Sequence, residues 1–243
     1  MTIGTLKTNP KTLFQSVVIG NGKSRKQIDL NSIRHRTFGC NAVYRDFSPD
    51  VLVSVDNGMM QEIYTEYSGN ASIRFRVWEE LPADTYGMFP TTEPLIVRGE
   101  PCASYTLNGA PWGTHITWCD KDLDIQRIVL PGCEDWSTGT TAIRLAAAES
   151  IRVYLLGFDM GSTSADVNNV YAGTLNYVPE GHSAYEVYER RNSAENWRSQ
   201  HCRNFVEYPN VHFVIVGGGL KPEWTDEYRN VSYISIDSFK DIM

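Results

Sequence analysis

The stretch SVVIGNGKSRKQID (residues 16–29) decides the fold, because an apolar run ends in Gly-Asn-Gly and a polar, basic segment follows at once. The apolar run predicts a buried strand, and Gly20-Asn21-Gly22 turns the chain. Ser24 is placed to cap a helix that runs to about Ile33. Since backbone N–H groups at the start of a helix attract anions, a loop of this shape is a candidate phosphate-binding loop.

The loop fits neither of the two commonest phosphate-binding motifs. GNGKSRKQ (residues 20–27) has no third glycine where the Rossmann G-x-G-x-x-G fingerprint requires one. It also lacks the G-x-x-x-x-G-K-[ST] spacing of a P-loop. A dinucleotide-binding protein and a P-loop NTPase are therefore disfavoured, and a plain turn explains Gly-Asn-Gly equally well.

The rest of the chain alternates apolar strands with helices, which is typical of an α/β fold. Near-continuous apolar strands indicate a sheet that is covered on both faces and hence parallel. The predicted strands after the first are residues 37–40, 49–56, 72–78, 115–119, 125–130, 151–160, 211–219 and 231–237, and residues 58–67 have apolar residues at helical spacing. Helices are predicted over 137–149, with Ser137 or Thr138 as the cap, and over 182–205. We expect a Rossmann-like, mostly parallel sheet with helices on both faces.

Two segments interrupt this alternation. Residues 79–114 hold five prolines and many aromatic residues without a helical pattern, and they predict an irregular insertion, with a hairpin near Asn108-Gly109. Residues 161–181 are polar, contain glycine and show no period, as expected of a lid loop. Because no stretch reads as a linker, residues 1–243 are predicted to form a single domain.

Composition narrows the class of partner. The net charge of −7 argues against broad attraction to nucleic acid or to an anionic membrane. No apolar run approaches the roughly 18 residues that span a bilayer, and no signal peptide is recognisable, so we expect a cytoplasmic protein. The five cysteines form no C-x-x-C pair, which argues against a zinc site and a redox motif and favours reduced thiols.

Polar residues follow several predicted strands, and in open α/β sheets ligands bind at such strand ends. Asn41 follows the second strand. Asp56 ends the third strand, and Asp159 lies at the end of the strand predicted over 151–160. Either aspartate is suited to bind a ribose, a metal or a substrate hydroxyl, or to hold a loop by hydrogen bonds. The hydroxyls of residues 137–140 are suited to a phosphate or sugar, or merely to capping the helix.

His182 is the candidate general base. It follows Gly181 after the predicted lid loop and lies at the start of the predicted long helix. The helix dipole disfavours a cation at this end, so the imidazole stays neutral and able to take a proton. The alternative is a surface histidine that helps to begin the helix.

Taken in order, these segments resemble the bacterial family-42 sialyltransferases. The segments are VVIGNGKSRKQIDLNSI (17–33), FGCNAVY (38–44), STGTTAIRLAAAESIRVYLLGFDM (137–160) and NYVPEGHSAYEVY (176–188). The resemblance, which also takes in the closing strand VHFVIVGG (211–218), extends in blocks over about half of the chain, whereas residues 57–136 show no such similarity. A wider group is similar too. It contains enzymes like 6-hydroxymethylpterin pyrophosphokinase and surface-glycosylation proteins of unknown function, and FGCNAVYRDFSPDVLVSVD (38–56) resembles that group more closely.

The resemblance implies a metal-independent, nucleotide-sugar-dependent glycosyltransferase of a variant glycosyltransferase-A type. It implies His182 as the base for the acceptor hydroxyl, with Tyr171 and Tyr177 as candidates to stabilise the leaving group. Gly161 stands where the family has one of its tyrosines. The resemblance places Asn21, Asn41, Ser137, Thr138 and Gly139 at the nucleotide. The loop and strand-end residues that complete the predicted nucleotide site are Gly20, Gly22, Ser24, Asp56, Thr140 and Asp159.

Several alternatives stay open. The donor is a CMP-, UDP- or GDP-linked sugar, the acceptor is a surface glycan or a hydroxymethylated DNA base, and the chain is a monomer or a homo-oligomer. A DNA acceptor would use the basic cluster of Lys23, Arg25, Lys26, Arg34 and Arg36, which is otherwise a solvated helix face. A pyrophosphokinase would need Mg²⁺ on Asp56 and Asp159. If the chain were a non-catalytic nucleotide-binding protein, this would explain why Gly161 stands in place of the family's tyrosine.

Overall fold

A computed structural model describes the sheet, its main helices and part of the predicted lid loop. The described residues are 15–54, 59, 62, 96–97, 100–101, 115–120, 124–129, 137–159, 168–174, 177, 194–217 and 222–243. For 96–97, 100–101, 115–120 and 124–129, only the backbone path is described and not the side chains. The predicted strand over 72–78 and the predicted hairpin near Asn108-Gly109 lie outside the described residues, as do Asp56, Gly161 and His182.

Eight strands of the described chain form one sheet. The strands are β1 (Gln15–Ile19), β2 (Arg36–Cys40), β3 (Val51–Ser54), β6 (His115–Asp120), β7 (Asp124–Val129), β8 (Arg152–Leu156), β9 (His212–Gly217) and β10 (Val231–Ser235). A separate short antiparallel pair joins β4 (Ile96–Val97) to β5 (Glu100–Pro101) within the predicted insertion. The large sheet has the order β10-β9-β8-β1-β2-β3-β6-β7.

The six strands from β10 to β3 are all parallel, and β6 and β7 extend the β3 edge in antiparallel pairing. Counted along the chain, the parallel strands have the order 3-2-1-4-5-6, which is the Rossmann order. The strand order reverses between β1 and β8, which pair with Val18 opposite Leu155. The carboxyl ends of these two strands therefore define the switch point of the sheet. The predicted mostly parallel, Rossmann-like α/β sheet is confirmed.

Alternate side chains of β1 enter two different cores. Val18 belongs to a core with Phe38, Val153 and Ile143, whereas Val17 lies in a second core on the opposite face. The period of two residues in a strand produces this division. Both faces of the sheet are covered by packed side chains, as the near-continuous apolar strands predicted.

Two α-helices cover the first face. The helix α1 (Thr138–Glu149) begins at Ser137, whose Oγ accepts a hydrogen bond from Thr140 N at 3.2 Å. Ala142 and Ala146 are fully buried and let the helix approach the sheet closely. The helix α2 (Ala194–Glu207) packs beside α1. The predicted Ser137 cap and the helix over 137–149 are confirmed, and within the predicted long helix the described part begins at residue 194.

The second face carries short helices. Its elements are three 3₁₀ helices (Lys23–Gln27, Leu30–Ser32 and Asn41–Arg45) and the α-helix α3 (Ile236–Lys240). The prediction of one helix from Ser24 to Ile33 was wrong. The chain is extended at Ile28, and the Asp29 side chain accepts from Asn31 N, which begins a new turn. No described helix is long and apolar enough to cross a membrane.

Candidate ligand-binding site at the switch point

The loops that follow β1 and β8 are in direct contact. Gly20 N donates to Leu156 O and Gly22 N donates to Gly157 O, both at 2.8 Å. Gly157 has a φ of +73°, and a Cβ on it would lie 2.9 Å from Gly20 O. A Cβ on Gly20 would lie 2.6 Å from Gly157 O. Close backbone approach therefore requires glycine at both positions, with the left-handed conformation a second reason at Gly157.

The two loops are also joined by Ser24 and Asp159. Ser24 N donates to Asp159 Oδ2 at 2.9 Å, and Ser24 Oγ donates to Asp159 Oδ1. The neighbouring amide, Lys23 N, donates to Asn168 Oδ1 at 2.8 Å. Of the alternatives open for Asp159, the structure shows the loop-holding hydrogen bonds. We call Gly20, Gly22, Ser24, Gly157 and Asp159 the glycine side of the switch point.

Asn41 connects the ends of three elements. It directly follows β2 with a φ of +50°, a left-handed conformation that asparagine tolerates better than most residues. Ser54 Oγ, at the end of β3, and Thr138 Oγ1, at the start of α1, both donate to Asn41 Oδ1 at 3.0 Å. These two bonds fix the asparagine side chain at the edge of the sheet.

A segment from the predicted lid loop crosses the ends of β1 and β2. We call residues 168–174 together with Tyr177 the strap. Val170 N donates to Asn21 O at 2.7 Å. The Tyr177 hydroxyl oxygen accepts from Asn21 Nδ2 at 3.0 Å and from Ala42 N at 3.3 Å. We call Asn21, Ala42 and Tyr177 the amide side of the switch point.

The Asn21 amide has a buried oxygen without a partner. Asn21 Oδ1 has no hydrogen bond to any described residue, although its Nδ2 bonds to Tyr177. If the amide were turned over, the nitrogen would be the atom without a partner, so one polar atom stays unsatisfied in either orientation. Such a group costs about 1–3 kcal/mol and is uncommon in native proteins. Its position at the carboxyl end of β1 makes it a candidate ligand contact.

Tyr171 anchors the strap to the second face of the sheet. Its hydroxyl accepts from Arg25 Nη2 at 2.6 Å and donates to Asp46 Oδ1 at 2.6 Å. Arg25 is only 3% exposed and forms an ion pair with Asp46 at 3.1 Å. Burial, followed by the hydrogen bond to Asp46, raises the pKa of Tyr171 against the opposing effect of Arg25. The phenol therefore stays neutral and serves as a donor.

Arg45 also contacts the strap, through both of its tyrosine rings and through Thr174. Its guanidinium lies 5.6 Å from the ring centroid of Tyr171 and 5.8 Å from that of Tyr177. It donates to Thr174 Oγ1 at 2.7 Å and pairs with Glu62 at 2.5 Å. Cation–π contact and ion pairing together hold both tyrosine rings in place.

The hydroxyls at the start of α1 are engaged within the fold. Ser137 N and Thr140 Oγ1 donate to Gln200 Oε1 of α2, at 2.9 and 2.7 Å. Thr140 is 0% exposed. A Cβ on Gly139 would lie 2.9 Å from the Phe158 ring, so this glycine serves close packing. Residues 137–140 thus have structural roles in the fold. Their predicted roles in binding a nucleotide stay predictions.

Sequence reasoning missed the buried polar residues of α2. His201 is 3% exposed and packs edge-on against Phe158, with ring centroids 5.4 Å apart. Burial lowers the pKa of His201 to about 3. Asn204 Nδ2 donates to Thr140 O at 2.9 Å. The four-residue spacing of Gln200 and Asn204 on one helical face was the available signal in the sequence.

The residues of the predicted basic cluster differ in burial and in bonding partners. Arg25 is buried against Asp46, and Arg36 Nε bonds to Glu149 Oε1 at 2.6 Å, while Lys26 and Arg34 are exposed. The prediction of a solvated helix face is therefore wrong for Arg25. The physical reason is that the chain forms 3₁₀ turns here, which direct this side chain under the strap.

Of the predicted site residues, the structure brings together Asn21 with Tyr177, Ser24 with Asp159, and Asn41 with Thr138. Among the described residues, no three histidine, cysteine, aspartate or glutamate side chains are grouped so as to hold a metal ion. No protein-family model matches the chain, and no curated protein and no solved structure is significantly similar to it.

Proposed function

We propose that the chain is a nucleotide-sugar-dependent glycosyltransferase, sialyltransferase-like and of a variant glycosyltransferase-A type, that binds its donor at the switch point. The observation that carries this proposal is the Asn21 amide, whose buried oxygen lacks a partner at the carboxyl end of β1. In Rossmann-order sheets this is the place where nucleotides bind. An amide offers both a donor and an acceptor to a nucleotide.

Tyr177 is the proposed stabiliser of the leaving group. Its oxygen accepts from Asn21 Nδ2 and Ala42 N, and two incoming donors make its own O–H a stronger donor. Such a donor stabilises the negative charge on a departing phosphate. Tyr171, the other tyrosine that the resemblance implies, has its hydroxyl between Arg25 and Asp46, so we assign it to holding the strap.

The proposed reaction is a direct displacement. The acceptor oxygen attacks the anomeric carbon, the bond from that carbon to the phosphate oxygen breaks, and the nucleotide leaves with the electron pair. His182 takes the acceptor proton, a role that rests on its Gly-His-Ser context and on its place at the start of the predicted helix. We propose a glycan acceptor, since the net charge of −7 and the engaged Arg25 and Arg36 disfavour DNA. Metal independence stays a prediction.

The experiment has a binding arm and a transfer arm. The melting temperature is measured with CMP, UDP and GDP, and transfer is assayed with sugars linked to the nucleotide that raises it most. His182→Ala is expected to keep the nucleotide-induced shift and to lose transfer by 10²-fold or more, the usual range for a general base being about 10²–10⁴. The matched control is His35→Ala, because His35 lies on the second face of the sheet, where its ring bonds to Ile242 O.

The outcomes separate the candidate functions. Absence of a shift with every nucleotide, or full transfer by His182→Ala, would contradict the proposal. Nucleotide binding without transfer from any donor would indicate a non-catalytic nucleotide-binding protein. Phosphoryl transfer that a chelator abolishes would indicate a pyrophosphokinase-type enzyme.

A further inference from the structure

We infer that the Asp159 carboxylate acts as a built-in anion that excludes phosphate from the loop after β1, so that the phosphate of a bound nucleotide lies on the amide side. This inference rests on the proposed nucleotide site at the switch point and deepens it. It makes Asp159 a specificity-determining residue, which decides which end of the ligand meets the loop.

The first observation is that hydrogen-bond donors of the loop after β1 are bonded to acceptors of the protein itself. In a Rossmann-order sheet the N–H groups that follow β1 receive a pyrophosphate. In this chain Ser24 donates both its N–H and its hydroxyl to the two Asp159 oxygens. Lys23 N donates to Asn168 and Gly22 N to Gly157 O. The protein's own acceptors thus occupy the groups that would otherwise bind a phosphate.

The second observation is the charge of one of these acceptors. A carboxylate with one oxygen on a backbone N–H and the other on a hydroxyl occupies the position of a bound anion, and it repels a second anion at short range. The helix behind the loop contributes little attraction, because it is a 3₁₀ helix of five residues. The loop is thereby suited to the uncharged nucleoside portion of a ligand.

The third observation explains the missing third glycine of the fingerprint. Arg25 stands at that position, and a Cβ built on Gly157 would lie 3.3 Å from Arg25 Cβ. The arginine therefore lies directly against the β8 loop at Gly157, two residues before Asp159. In the fingerprint, a glycine at this position lets the following helix pack closely on the strand.

The amide side differs in charge. Asn21 Nδ2 and Ala42 N converge on the Tyr177 oxygen, which is a neutral phenol. Ala42 N belongs to the first turn of the 3₁₀ helix Asn41–Arg45. The three residues of the amide side carry no carboxylate that would repel an anion, whereas Asp159 does, so the phosphate is assigned to this side.

The test uses inorganic pyrophosphate as the probe and isothermal titration calorimetry as the readout. Asp159→Asn keeps the shape and one acceptor while it removes the charge. We expect this variant to bind pyrophosphate at least tenfold more tightly than the wild type. Ser24→Ala, which loses the hydroxyl but keeps the charge, is the matched control and is expected to show no gain. Equal affinities of Asp159→Asn and the wild type, or an equal gain in Ser24→Ala, would overturn the inference.

A second measurement needs no variant. Pyrophosphate titrated into the ¹⁵N-labelled wild type is expected to leave the Lys23 and Ser24 amide resonances unshifted, and a saturable shift of either would overturn the inference. Neither measurement involves sugar transfer. A gain in Asp159→Asn therefore stands even if no transfer is found, and its absence in an active transferase removes this inference alone.

Discussion

The two sides of the switch point differ in how completely their polar groups are bonded. On the glycine side, both Asp159 oxygens bond to Ser24, and Gly20 and Gly157 meet backbone to backbone. On the amide side, Asn21 keeps a buried oxygen that has no bond to any described residue. One edge of the sheet is thus divided into a part whose polar groups bond within the fold and a part that retains an unsatisfied group, which we propose as a ligand contact.

The largest expected effect is on the glycine side. Gly157→Ala should lower the free energy of unfolding by about 2–4 kcal/mol, since it adds a Cβ 2.9 Å from Gly20 O at a φ of +73°. Chemical denaturation measures the loss. Gly173→Ala is the matched control, because Gly173 has a φ of +80° but is exposed, and should cost about 1 kcal/mol. An equal cost for both variants would show that the loop contact contributes nothing.

The next effect concerns the anchor of the strap. Tyr171→Phe removes the hydroxyl between Arg25 and Asp46 and should cost about 1–2 kcal/mol. The Val170 amide, which bonds to Asn21 O, should then exchange its hydrogen faster. Hydrogen exchange read at Val170 checks this result. Unchanged protection of that amide would mean that Tyr171 does not hold the strap.

Acid should weaken the packing behind the β8 loop. His201 packs against Phe158, and its pKa is lowered to about 3 in the fold, whereas an unfolded histidine has a pKa of about 6.5. Between these values the unfolded chain binds a proton that the folded chain does not, so stability falls as the pH falls. The slope is about 1.4 kcal/mol per pH unit once the pH is well below 6.5.

Urea denaturation at pH 7, 6 and 5 measures this dependence. His201→Gln should reduce the loss between pH 6 and pH 5 by about 1 kcal/mol relative to the wild type. His212→Gln is the control, because His212 is only partly buried and its pKa is lowered by burial and by Arg152. If His201→Gln keeps the wild-type slope, the acid sensitivity comes from other groups.

The sequence was sufficient to predict the sheet but not the way its loops close. The apolar strands and the Ser137 cap are local patterns, and both are confirmed. The capping role predicted for Ser24 was wrong, because its hydroxyl bonds to Asp159, 135 residues away. A contact of that sequence separation leaves no periodic pattern to read.

The amide side was predicted only in part. Asn21 and Tyr177 were both named from the sequence, by resemblance, but their hydrogen bond joins residues 156 apart. Ala42 contributes a backbone N–H, which no side-chain motif can indicate. Asp46 and the burial of Arg25 were missed, because the basic segment has the composition of a solvated surface.

The most direct test of the account is the affinity of Asn21→Ala for the nucleotide that raises the wild-type melting temperature most, measured by calorimetry. We expect at least a tenfold loss of affinity with a change in unfolding free energy below about 0.5 kcal/mol, since the variant also removes an unsatisfied buried oxygen. His35→Ala, on the second face of the sheet, is the control and should keep the affinity. Unchanged nucleotide affinity in Asn21→Ala would contradict the account.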